Sequence, residues 1–146
     1  MVRVFTAVFL ALLTVSAFAG DKLDVKLTDA VNQAYRTLLD LNNPVSERKK
    51  AVAYLKDAYV KENDVTVIDA INDLLLYSYD QSKYKEEDNK SYQSDMIALE
   101  LVNILQISGQ PSSFPALLNI VVKRNHAQAT INAAWNAIKA IKWKDK

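Results

Sequence analysis

The chain has 146 residues, with 18 Lys plus Arg against 17 Asp plus Glu, half of its residues apolar, two Gly, three Pro and no Cys. That profile excludes collagen-like, disulfide-stapled and thiol-dependent proteins, and the near-zero net charge argues against a generic attraction to nucleic acid or anionic lipid. At this length a single domain is expected, and so little Gly and Pro leaves few sites for tight hairpin turns, so the composition predicts helices.

The first segment has a different character from the rest. Met1-Val2-Arg3 is a short basic start, residues 4–15 are almost continuously apolar, and Ala17-Phe18-Ala19 places small residues three before and one before a cut ahead of Gly20. This pattern predicts a cleaved secretory signal peptide over residues 1–19. A retained membrane helix would need about 20 apolar residues, more than this run supplies, so no membrane span is expected in the mature chain. No Cys follows the cut, which excludes a bacterial lipoprotein. Cleavage leaves one domain, 20–146, whose 127 residues carry 17 basic and 17 acidic side chains, Arg3 being the only charge removed. A chain of that size buries enough apolar surface to fold without disulfides, and a periplasmic or secreted protein is expected.

Apolar residues then recur at three- and four-residue spacing, which predicts six helices at about 24–41, 45–61, 64–80, 91–107, 112–124 and 127–142. Asn43-Pro44, Asn63-Asp64, Ser91, Ser112 and Asn125 stand before the apolar runs, and Gly109 followed by Pro111 closes the fourth. No stretch reads as a strand. Val65, Val67 and Ile68 are β-branched, but the pattern continues to Ile71, Leu74 and Leu75 with helical period.

These helices repeat. In the first helix of each pair, Val31, Ala34, Tyr35, Leu38 and Leu39 align with Val67, Ala70, Ile71, Leu74 and Leu75, and with Phe114, Leu117, Leu118, Val121 and Val122. In the second, Ala51, Val52, Tyr54, Leu55 and Ala58 align with Ala98, Leu99, Leu101, Val102 and Leu105, and with Ala134, Trp135, Ala137, Ile138 and Ile141. Leu38 to Ala51 and Val121 to Ala134 are each 13 residues, whereas Leu74 to Ala98 is 24. One unit of 36 residues with an 11-residue insertion in its middle copy accounts for the spacings, so three antiparallel helical hairpins are expected, over about 24–61, 64–107 and 112–142.

The last unit, from Gln110-Pro111-Ser112-Ser113-Phe114-Pro115-Ala116-Leu117-Leu118 to Asn132-Ala133-Ala134-Trp135-Asn136-Ala137-Ile138, resembles the HEAT-repeat family, as does Arg48-Lys49-Lys50-Ala51-Val52-Ala53-Tyr54-Leu55 after the turn Leu41-Asn42-Asn43-Pro44. The middle unit departs through its long turn, and the Asp and Arg ladder of the family is mostly missing. The resemblance implies an α-solenoid whose second helices line a partner-binding face. Carried over by register, that face holds Lys49, Met96 and Asn132; Ala53, Glu100 and Asn136; and Lys56, Asn103 and Lys139. Trp135 falls on the core stripe, and Trp143 is expected to cap the end of the stack; an uncovered apolar end would also permit a homodimer.

The insertion, 80–90, holds seven charged residues and is flanked by Tyr77, Tyr79, Tyr84 and Tyr92. A polar loop bordered by aromatics suits a contact site, and Tyr79, Tyr84 and Tyr92 are its candidates. Asp80, Ser82, Tyr84 and Glu86 alternate faintly like a calcium loop but lack the central Gly. Catalytic constellations are absent. The single His, His126, is expected to cap or sit at the surface of the last turn, Glu86, Glu87 and Asp88 lie in a polar loop, and no Gly-rich phosphate loop is possible. No cofactor, metal or nucleic acid is implied. The expected function is a non-catalytic interaction module or scaffold for another exported or envelope protein; the alternative is a compact bundle holding a small apolar ligand in its interior.

Overall fold

A computed structural model describes residues 26–80, 85 and 89–143, and these are helical with no strand among them. The expected signal peptide, Tyr84, and Glu86, Glu87 and Asp88 lie outside the described residues. Six helices follow in order: α1 (Asp29–Leu39), α2 (Val45–Glu62), α3 (Thr66–Asp73), α4 (Asn89–Ser108), α5 (Phe114–Lys123) and α6 (Gln128–Lys139). A π-helical turn, Leu74–Ser78, prolongs α3, and a 3-10 turn, Pro111–Ser113, leads into α5.

Each boundary has a local cause. Asp64 Oδ1 accepts hydrogen bonds from Thr66 N (3.0 Å) and Thr66 Oγ1 (2.6 Å), which satisfies a free amide at the start of α3. Asn63 ends α2 in the left-handed region, donating its N–H to the Ala58 and Tyr59 carbonyls. Gly109, at φ +60°, ends α4, and Arg124 ends α5 at φ 54°. Asn43 sends Nδ2 to the Thr37 carbonyl (2.8 Å), closing the end of α1. Ser91, expected ahead of its helix, instead lies buried inside the first turn of α4, where its hydroxyl accepts the Lys85 N–H (2.9 Å).

α1 packs on α2 and α5 on α6; α1 also meets α3, α2 meets α4, and α4 meets α6. Cross-links fix the directions. Thr28 reaches Asp64 and Tyr35 reaches Asp73, so α1 and α3 run the same way. Arg48 reaches Ser94, near the starts of α2 and α4, while Asp95 meets His126 near the starts of α4 and α6 and the Gly109 carbonyl meets Lys142 N near their ends. One continuous core results, with Leu38, Leu55, Ile71, Leu74, Leu101 and Leu117 fully buried.

The core stripes hold with four exceptions. Tyr54, Leu118, Val122 and Trp135 are exposed. All four lie on α2, α5 or α6, where these positions of the stripe are left partly in water. Trp135 is therefore not a core residue, at 47% exposure. Trp143 rests edge-on against Phe114, with ring centroids 5.7 Å apart, yet remains 59% exposed.

Candidate functional site

Parallel α2 and α4 leave between them a groove of about 230 Å³, lined by Val52, Ala53 and Lys56 from α2 and by Glu100, Asn103, Ile104 and Ile107 from α4. Its origin lies in residue size. Ala51 and Ala98 let the two helices approach at the core, and Ala53, one step outward, leaves space that a longer side chain would fill. The floor is apolar, and the rim carries a cation, a carboxylate and an amide. Among the described residues Lys56, Glu100 and Asn103 make no hydrogen bond or ion pair with another side chain, so their polar atoms are available to a ligand. A groove of about 260 Å³ between α1 and α2 is slightly larger, but Glu47 and Lys50 on its rim already pair with each other at 3.6 Å.

Four of the residues expected from register, Ala53, Lys56, Glu100 and Asn103, thus meet around one groove. Lys49, Asn132, Asn136 and Lys139 are exposed but do not line it. Asn132 is engaged by its own helix, accepting from Gln128 Nε2 at 2.9 Å. Tyr92 is exposed, as a contact residue needs to be. Tyr79 is not: it is 1% exposed, donates its hydroxyl hydrogen to the Leu38 carbonyl (2.8 Å), and has no surface to offer. The π turn explains the difference, because Tyr79 N–H bonds back to the Leu74 carbonyl, and the extra residue in that turn rotates Tyr79 from the flank into the core. Burial holds the Tyr79 hydroxyl above its ordinary pKa, opposed by the hydrogen bond and charge of Arg48.

Asp80, the first residue of the insertion, likewise belongs to the fold. Its carboxylate accepts from Asn119 Nδ2 (2.8 Å) and Lys123 Nζ (2.9 Å), and its carbonyl from Asn125 Nδ2 (2.9 Å).

His126 is a further correction. It is buried, not a surface cap, and its Nδ1 lies 2.7 Å from Asp95 Oδ1. This contact takes the Nδ1–H tautomer of the imidazole as donor and the carboxylate oxygen as acceptor. Asp95 Oδ2 accepts from the Thr130 hydroxyl (2.8 Å) and from Ala127 N (3.2 Å), so one carboxylate of α4 caps the start of α6. An Asp–His pair invites comparison with a nucleophile-activating site, but Nε2 is buried and has no hydrogen-bond partner among the described residues. The pair joins α4 to the start of α6.

Sequence reading missed Arg48 and Asp95 as buried polar groups, although the signal was present: each sits three residues before a core alanine, Ala51 or Ala98, on the inward stripe of its helix. Among the described residues no cluster of three or more metal-ligating side chains occurs, and no helix is long and apolar enough to cross a membrane. No protein-family model, curated protein or solved structure matches the chain.

Proposed function

We propose that the protein is an exported, non-catalytic protein-interaction module of three stacked HEAT-like helix pairs, and that a segment of an envelope or secreted partner lies along the α2/α4 groove. The helices of like position run parallel in two rows, α1–α3 and α2–α4–α6, as such stacking requires, and the Thr28–Asp64, Arg48–Ser94 and Asp95–Thr130 hydrogen bonds span 36, 46 and 35 residues, each within one of the repeat spacing. One observation carries the functional reading: Lys56, Glu100 and Asn103 stand with free polar groups around an apolar floor. A partner chain gains apolar contact from the floor and fixed orientation from the rim.

A photo-crosslinking residue placed at Asn103 tests this, with one at exposed Arg36 as the control. The expected result is one protein captured from the native envelope through position 103 and not through position 36, with its affinity as a purified protein lowered about tenfold by the combined Lys56→Ala and Ile107→Ala changes. Equal labelling from both positions, or affinity indifferent to the double variant, would overturn the assignment of the groove.

A further inference from the structure

The last helix pair differs in charge from the rest of the molecule. Between Glu100 and Asp145 the chain has no carboxylate side chain, while Lys123, Arg124, Lys139 and Lys142 all lie in that stretch. Residues 20–109 carry 16 acidic and 11 basic side chains, so the balance of the whole conceals two halves of opposite sign. Asp80 engages Lys123, but Arg124, Lys139 and Lys142 form no ion pair among the described residues.

Within four residues of each of these three cations in the chain lies an exposed apolar side chain. Val122, 68% exposed, lies two residues before Arg124; Trp135 is one turn before Lys139; Trp143 adjoins Lys142. Along α5, Phe114, Leu118 and Val122 follow one another at four-residue intervals and form a stripe, with Trp143 packed against its first ring. No described helix covers this outer side of α5 and α6.

We propose that the outer side of the α5/α6 pair rests on an anionic lipid surface. Indole rings favour the headgroup boundary, aliphatic side chains gain by entering just below it, and unpaired cations meet the lipid phosphates. The excess negative charge of residues 20–109 is repelled by the same surface and turns the rest of the molecule away from it. A second copy meeting the first through this side would oppose like charges, and residues 26–65, which supply the first helix pair, hold seven basic and six acidic groups and so offer no excess negative charge to receive it. A nucleic acid strand would use the cations and the indoles but would leave Leu118 and Val122 in water.

Trp135 and Trp143 are the only two tryptophans, so intrinsic fluorescence reports on this side alone. The full chain is mixed with vesicles of phosphatidylcholine, with and without about one third phosphatidylglycerol. The expected result is a blue-shifted emission, quenched by lipids brominated high on the acyl chain, that appears only with phosphatidylglycerol. Lys139→Ala with Lys142→Ala lowers the vesicle partition about 25-fold, roughly fivefold for each cation, while far-ultraviolet circular dichroism stays that of the wild type. Emission unchanged by anionic vesicles overturns the proposal even if the protein sediments with them, because attachment would then lie elsewhere in the chain. Tighter binding to a single-stranded oligonucleotide than to the vesicles overturns it in favour of nucleic acid, and a lipid-independent blue shift that accompanies a doubling of mass overturns it in favour of a second copy.

Discussion

Arg48 and Asp95 occupy corresponding places, each three residues ahead of the alanine where its helix meets a neighbour, yet they join the helices differently. Arg48, 2% exposed, brings a full positive charge into the α2/α4 junction and spends it on neutral acceptors: the Asn43 carbonyl (3.1 Å), Ser94 Oγ (3.3 Å) and Tyr79 Oη (3.5 Å). Among the described residues no carboxylate answers it. Asp95, at the α4/α6 junction, accepts from three donors within 3.2 Å, all belonging to the turn and first residues that it caps. A buried charge with short, complete hydrogen bonding defines a junction, because every donor depends on it; one held by long bonds to neutral groups mostly fills space.

Removing Asp95 should therefore have the largest effect. Asp95→Ala strands the His126 ring N–H, the Thr130 hydroxyl and the Ala127 N–H in the interior, and a loss of about 3 kcal/mol is expected in urea unfolding. A loss below about 1 kcal/mol would mean that water replaces the carboxylate and that the two junctions are not different in kind. The same junction contains a backbone constraint. Gly109 has φ +60°, its carbonyl accepts the Lys142 N–H (2.9 Å), and a Cβ on it would sit 2.9 Å from the Ala140 carbonyl oxygen. Gly109→Ala should cost about 1–2 kcal/mol by the same measurement. Arg48→Met, by contrast, keeps the length of the side chain and removes a charge that has no countercharge, so stability should change by less than about 1 kcal/mol in either direction. A loss equal to that of Asp95→Ala would erase the distinction.

The difference between the junctions also marks what could be read from the sequence. Helix positions came from the spacing of Val31, Leu38, Ile71, Leu101 and their like, because burial of a stripe imposes that period wherever a helix has neighbours. It failed where neighbours end: Trp135 and Val122 have the period of core residues but lack a layer to cover them. Tyr79 was misplaced by a π turn, which no apolar pattern reveals because it shifts the register by a single residue. Lys56, Glu100 and Asn103 could be gathered by register alone, since parallel helices bring equivalent positions together, but the groove beneath them depends on the small size of Ala53 opposite Ile104. The Asp95–His126 pairing spans 31 residues and two helices, and only the arrangement of the turn over α4 creates it.

The smallest effect expected lies in the pH dependence of the α2/α4 junction. Burial raises the pKa of the Tyr79 hydroxyl above the usual value of 10.0, and the neighbouring Arg48 guanidinium opposes but does not cancel that rise. In the unfolded chain the phenol ionises at its ordinary value while the native state still holds the proton. The stabilisation linked to this group is therefore fully present below about pH 10 and declines as pH rises through the higher native value. Tyr79→Phe has no proton to lose there, so the stability of the wild type should fall more steeply than that of the variant between about pH 10 and 11, in urea midpoints measured side by side. Parallel slopes would mean that Arg48 stabilises the phenolate as well as burial disfavours it, and the guanidinium would then count as a working partner of Tyr79, bringing the α2/α4 junction closer in kind to the one that Asp95 makes.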